Sequence, residues 1–308
     1  MAETTPLVSV VLTTFNRSRL LSRSIDSVLA QTFTDFQLIV VDDCSTDDTQ
    51  QVLAGIDDTR LSVIRHERNR GLSEARNSGV RAAAGTFVAF HDDDDEWLPQ
   101  KLAVEVAALS GQPDPGHVCL YSQVLVDDGI SADVRPRRGL RPGEPLCEYL
   151  MCGVGLLHPI TVMIPRRLLL ETPFPSQGLS RYEDQNVWLA LERQGVRFVL
   201  VPEPLAVWHA DLRRTRMTTT NQFLEQGTAW LDQFGPQVTL KARRGFLARE
   251  IAPYLGEGKR LVALRTIAIA IFTGAVPLSV GLRNLAKAVL PPSAVISLRH
   301  VFPRSRFG

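Results

Sequence analysis

The chain has 308 residues, 44% of them hydrophobic and 22% charged, which supports a sizeable core, excludes global disorder and suits one large domain or two modest ones. The formal net charge is +1, but from Pro236 to Gly308 twelve Lys or Arg stand against two Glu, so that stretch carries +10 and the preceding 235 residues −9. An acidic body with a basic tail fits an anionic lipid surface as the partner of the tail.

Cys44, Cys119, Cys147 and Cys152 form no C-x-x-C pair and have no His cluster beside them. Neither a disulfide framework nor a structural zinc site is expected, and a reducing compartment fits. "MAETTPLVSVVL" lacks a basic n-region, so no secretory signal is expected.

In chain order, "LVSVVLT" (7–13) is short, apolar and β-branched and predicts a buried strand. Leu20, Leu21, Ile25, Val28 and Leu29 have helical spacing over 18–31. "FQLIVVDD" (36–43), "LSVIRH" (61–66) and "TFVAFH" (86–91) predict further strands. "LSEARNSGVRAAAG" (72–85) and "LPQKLAVEVAALSG" (98–111) predict helices ending at glycine. This alternation implies a parallel sheet with helices on its faces. Beyond 111, "HVCLYSQVLV" (117–126) and "ITVMIP" (160–165) predict strands, and 127–145 reads as a polar loop. "YEDQNVWLALERQG" (182–195) predicts a helix with acids in its first turn. The most apolar segment, 261–282, is interrupted by Arg265 and broken by Pro277, short of the roughly 20 residues that span a bilayer. With Arg283, Lys287 and Arg299 beyond, it reads as interfacial helices or as a buried C-terminal bundle.

"AFHDDDDEWLP" (89–99) crowds Asp92, Asp93, Asp94 and Asp95 in one row. Two unit charges about 4 Å apart repel by roughly 4 kcal/mol at an effective dielectric near 20. A solvated loop screens this, whereas a bound divalent cation reverses its sign. Ligands of an open parallel sheet bind beyond the carboxyl ends of the strands, at the point where strand order reverses. If the first strand lies between the second and fourth, "TTFNR" (13–17), "VDDCS" (41–45) and "HDDDDEW" (91–97) share one crevice. Neither G-x-G-x-x-G nor a P-loop follows the first strand. Phe15 offers a stacking face or is core. Asp42 offers acceptors to a base or ribose, or caps the next helix with Asp43. Arg76 reaches a diphosphate, or pairs with Glu74 or Asp92. Asp95 and Glu96 cap the helix at 98–111 rather than touch metal. The set describes a nucleoside diphosphate held through Mg2+ or Mn2+.

"VSVVLTTFNR", "IVVDDCSTDDT", "GLSEARNSGV", "FHDDDDEWLP" and "YEDQNVWLAL", in this order, resemble the family-2 inverting glycosyltransferases of the GT-A fold over about residues 7–210. The resemblance implies an α/β, Rossmann-like, mostly parallel sheet with helices on both faces, residues 1–210 forming the nucleotide-sugar-binding and catalytic domain. Residues 211–308 follow as a helical, basic extension. It implies that Thr13, Phe15 and Asp42 hold the nucleobase and ribose, with Arg17 in the same nucleotide-sugar-binding set. Arg76 lies near the diphosphate, Asp92 or Asp93 meets ribose or sugar hydroxyls, Asp94 ligates Mn2+ or Mg2+, and Asp184 is the general base. His209 matches a further metal or phosphate contact in some relatives. Glu183 is the rival base, and Trp188 is either a stacking wall for the acceptor or core. Asp184, at a helix start, is expected to be ionised at neutral pH. His91 stands where an apolar residue is usual.

The absence of Gln-x-x-Arg-Trp argues for transfer of one sugar, or a few, rather than processive polymerisation. The implied partners are a nucleoside-diphosphate sugar, with UDP first among the nucleotides, a saccharide or lipid-linked acceptor, and an anionic membrane surface, with no nucleic acid. The implied location is the cytoplasm, peripheral on the inner face of the membrane. Two other readings stay open: a sugar-nucleotide nucleotidyltransferase, which releases pyrophosphate, and a non-catalytic carbohydrate-binding module of the same fold.

Overall fold

A computed structural model describes residues 5–129, 131–175, 181–210, 220–255 and 257–290. The chain divides into two compact units, Met1–Leu125 with Leu157–His209, and Val126–Leu156 with Ala210–Gly308.

In the first unit, β1 (Val8–Thr14), α1 (Ser18–Leu29), β2 (Phe36–Asp42), α2 (Thr49–Ala54), β3 (Leu61–Arg65), α3 (Leu72–Ala82) and β4 (Phe87–Asp92) alternate. All seven residues of β1 are buried, as expected of a strand covered on both faces. A two-residue strand, β5 (Glu96–Trp97), precedes α4 (Lys101–Ser110) and β6 (Val118–Asp127). The sheet order is β3-β2-β1-β4-β8-β6-β9-β5, where β8 is Val162–Pro165 and β9 is Arg197–His209; β7 (Ala132–Arg135) pairs with β6 off this path. β3, β2, β1 and β4 are mutually parallel, while β8 runs antiparallel to both β4 and β6. β1 therefore does lie between β2 and β4, and the strand order reverses there.

Two contacts fix the helix that matters most for the site. A Cβ on Gly79 of α3 would lie 2.3 Å from Val11 Cγ1, so only glycine lets α3 press this close onto β1. Asp43 accepts the backbone N–H groups of Arg70 (2.8 Å) and Gly71 (2.7 Å), tying the turn before α3 to the end of β2. Asp43 thus caps no helix directly after β2.

The second unit carries α5 (Leu146–Met151), α8 (Thr220–Phe234), α9 (Leu240–Phe246), α10 (Arg260–Phe272) and α11 (Leu278–Val289); α6 (Arg166–Glu171) and α7 (Glu183–Arg193) belong to the first. Its core is built from small side chains, among them Ala248, Ala252, Ala263, Ala270 and Ala275, with Ile267. No helix among the described residues is long and apolar enough to cross a membrane. The segment 261–282 is two helices with a turn at Pro277, and Arg299 lies outside the described residues.

Candidate active site

Register alone brings the strand tips together. Thr14 pairs with Asp42, and Thr13 with Asp92. Adjacent strands lie about 4.8 Å apart, so the backbones at Asp42 and Asp92 are about 10 Å apart across β1. Thr13 is buried between them and Phe15 is half-buried just beyond. Three non-glycine residues have positive φ among the described ones: Asn16 after β1, Cys44 after β2 and Tyr182 before α7. All three border this edge, and such backbone clusters where function constrains it.

Asp42 is fully buried. Its Oδ1 accepts the Ser45 N–H (2.9 Å), while Gln50 Nε2 donates to Oδ2 and Arg65 Nε lies 3.6 Å from it. A ligand that takes the Oδ2 lone pair used by Gln50 would displace that side chain.

The acidic run is held by cations and dipoles from several elements. Arg17 Nη1 lies 3.3 Å from Asp94 Oδ2, and Arg23 donates to the Asp94 carbonyl (2.8 Å). Asp95, 1% exposed, accepts the His209 N–H at 2.9 Å, and its carbonyl accepts the Ser24 hydroxyl. Asp95 and Glu96 do not cap α4, because β5 intervenes: Glu96 pairs with Val207 of β9. His209 Nε2 lies 2.6 Å from Glu96 Oε1, so the imidazole is engaged with that carboxylate. His91 points away from the run, 3.3 Å from Ser27 Oγ and against Trp97 (4.8 Å between centroids); burial drops its pKa to about 3. Trp97 also covers the buried Lys101 ammonium (4.6 Å) and donates its indole N–H to the Ile160 carbonyl.

Arg76 is the hub. Only 2% exposed, it donates to Asp92 (3.1 Å) and to Glu183 (2.9 Å), with its guanidinium over the Phe174 ring. Burial pushes Asp92 up, but Arg76 and His158 outweigh it and hold the carboxyl below its ordinary range. Burial raises Asp93 to about 7, with a smaller push from Asp94, and burial with Asp92 and Asp94 raises Asp95 well above the usual carboxylate range.

Asp184 opens α7 beside Glu183. Burial first, then the Glu183 charge, push it to about 7 against the pull of Arg76. The helix dipole therefore does not keep it fully ionised at neutral pH, contrary to expectation: desolvation outweighs the exposed-terminus effect. Glu183 is paired with Arg76 at 2.9 Å. Trp188 is fully buried, edge-on to Phe174 at 6.2 Å, and is core.

Among the described residues, Asp92, Asp95 and His158 each offer a ligand atom within 4.8 Å of the others. The His158 Nδ1 is buried with no hydrogen-bond partner, and burial lowers the ring to about 4, keeping it neutral. The carboxylate oxygens suit Mn2+ or Mg2+, and the neutral imidazole favours Mn2+ of the two. Neither Asp94 nor His209 is in this trio. Nothing local in "LLHPITV" signals His158; it joins Asp92 only because β8 pairs with β4.

The family profile "Glycosyl transferase family 2" matches residues 9–145. The chain is 28% identical over 265 residues to the amylovoran biosynthesis glycosyltransferase AmsB of Erwinia amylovora, covering 83% of this chain and 87% of that protein. It is 30% identical over 185 residues to the UDP-Glc:alpha-D-GlcNAc-diphosphoundecaprenol beta-1,3-glucosyltransferase WfgD of Escherichia coli, covering 60% of this chain and 69% of that one. S. aureus TarS 1-349 in complex with UDP superposes with a TM-score of 0.54 at 20% identity, over 97% of this chain and 91% of that one. Mannosyltransferase PcManGT from Pyrobaculum calidifontis, in complex with GDP-Man and Mn2+, gives 0.59 at 17%, over 98% and 89%. These likenesses show the GT-A fold, and the family profile with the sequence relatives establishes that the chain is a glycosyltransferase belonging to glycosyl transferase family 2.

Proposed function

We propose that the chain moves one sugar, or a few, from a nucleoside-diphosphate donor to a hydroxyl of a saccharide or lipid-linked acceptor, with inversion, in polysaccharide or glycoconjugate synthesis at the cell envelope. UDP is the nucleotide and Mn2+ or Mg2+ the cofactor. The observation that carries this reading is the Arg76 bridge: one buried guanidinium joins Asp92 of the acidic run to Glu183, with Asp184 in its field. Donor-side and acceptor-side carboxylates thus face one another. AmsB, named for amylovoran biosynthesis, WfgD, named for UDP-Glc and alpha-D-GlcNAc-diphosphoundecaprenol, and TarS with UDP support the substrate classes. Residues 1–210 carry the reaction and 211–308 the basic helices; the protein works in the cytoplasm, peripheral to the inner face of the membrane.

In this reading Thr13, Phe15, Arg17 and Asp42 receive the nucleoside, Gln50 giving way to it. Asp92, Asp94, Asp95 and His158 supply donor atoms for the divalent cation, which when bound stabilises the diphosphate charge as a Lewis acid. Arg76 positions Asp92 and Glu183, and Asp93 meets sugar hydroxyls. Asp184 accepts the proton of the attacking hydroxyl. The bond from the acceptor oxygen to the anomeric carbon forms as the bond to the diphosphate breaks, and the departing electron pair stays on the phosphate. Displacement from the opposite face inverts the anomeric centre.

The test is a screen of UDP-, GDP- and dTDP-sugars with Mn2+, assaying nucleoside diphosphate and pyrophosphate. Release of nucleoside diphosphate is expected; release of pyrophosphate overturns the reading. Asp184→Asn should lower turnover by about 10²- to 10⁴-fold with nucleotide affinity by calorimetry nearly unchanged, and near-full activity would remove Asp184 as the base.

A further inference from the structure

The α10–α11 hairpin of the second unit has an inner face that is fully used. Ala263, Ile267 and Ala270 of α10 and Gly281, Asn284 and Ala288 of α11 are buried. A Cβ on Gly281 would lie 2.3 Å from Ile271 Cγ1, so the two helices are in close contact. Yet the opposite face is apolar too. Along α10, Leu261, Ile269 and Phe272 are 82%, 39% and 91% exposed, and along α11, Leu278 and Leu282 are 61% and 55% exposed. Positions 261, 265, 269 and 272 form one helical stripe whose only polar member is Arg265. A helix apolar all round belongs in a core or in contact with lipid.

Charge selects the occupant. The two helices carry Arg260, Arg265, Arg283 and Lys287 and no carboxylate. A symmetric contact with a second copy of this face would bring together helices of like charge, with no carboxylate on either of them. An anionic surface matches the sign of the pair, and Arg265 stands exposed on the apolar stripe itself. With 13 and 12 residues, the helices are about 20 and 18 Å long at 1.5 Å per residue, against a bilayer core of about 30 Å, so they lie on the surface rather than cross it. We propose that the α10–α11 hairpin docks the chain on an anionic lipid surface, its turn-proximal Phe272 and Leu278 entering the headgroup layer. The inference rests on the hairpin alone, not on the catalytic reading.

The test uses the full chain, without donor or acceptor, sedimented with vesicles of equimolar phosphatidylcholine and phosphatidylglycerol or of phosphatidylcholine alone. Binding to the anionic vesicles is expected to be at least about tenfold the tighter and to weaken with added salt. Phe272→Ser with Leu278→Ser should lower it at least about tenfold while the far-UV circular dichroism is unchanged. Arg265→Glu, at an exposed position, decides the matter independently should the double variant fail to fold. Equal binding by these variants, or no preference for the anionic vesicles, overturns the proposal. So does a wild-type dimer on gel filtration that the double variant converts to monomer, since a second copy would then cover the face. Nucleoside diphosphate release from donor is assayed separately, so its failure would count against the catalytic reading and leave the vesicle result standing.

Discussion

A carboxylate that takes a proton from a hydroxyl works best when its own pKa lies near the operating pH. Asp184, half-buried, reaches about 7 because its carboxyl is withdrawn from water and stands beside the Glu183 charge, with Arg76 opposing. Only the ionised form can accept a proton, so turnover should rise with pH through about 7 and level above it. Glu183→Gln removes one raising influence and releases an Arg76 N–H toward Asp184. Both changes lower the Asp184 pKa, and the acid limb of the pH–kcat profile should move down by about one pH unit. An unmoved limb would mean that another group titrates. Asp42 shows a different residue-scale device. One carboxylate oxygen is held by the chain's own Ser45 N–H, the other by the replaceable Gln50 side chain, so a ligand competes for one oxygen only.

At the scale of elements, α3 sets the site because Gly79 lets it press onto β1, one helical turn from Arg76. Gly79→Ala puts a methyl into Val11. Such overpacking costs about 1–3 kcal/mol, and the shift of α3 should loosen Arg76 from Asp92. The expected result is a lower melting temperature with weaker donor binding by calorimetry; a variant matching wild type in both would show that α3 can give way without moving the guanidinium. The elements that carry the site were legible where burial writes a continuous pattern: β1, β2 and β4 are apolar runs, the last two ending in acids, and α7 begins with Glu183 and Asp184. β5 escaped because two residues carry no periodicity. β9 escaped because Pro202 and Pro204 interrupt it, tolerated since β5 pairs only with Ala206 and Val207. His158, Arg23 and Gln50 were invisible for one reason: each meets the site through a tertiary contact that no local pattern encodes.

Over the whole molecule, protonation acts on folding in two opposite directions. Asp93 and Asp184 are raised to about 7 and Asp95 is raised well above the usual carboxylate range, so the native state holds protons that an unfolded chain, with carboxylates near 3.8, has released. His91 and His158, lowered to about 3 and about 4 from near 6.5, do the reverse. Between pH about 4 and about 6.5 the two sets largely offset each other. Above about 6.5 the histidines are neutral in both states and only the carboxylates matter. The native state then binds more protons than the unfolded one, so stability falls as pH rises through about 7 and levels once those carboxylates ionise. A divalent cation acts against this, because ionised carboxylates bind it and protonated ones do not. At about 100 times its dissociation constant it adds about 2.7 kcal/mol, and less where protons compete. Without metal the melting temperature should drop by a few degrees between pH about 6.5 and about 8; with Mn2+ it should rise at both, and by more at the higher pH. A cation effect equal at the two pH values would mean that Mn2+ binds somewhere other than the strand tips.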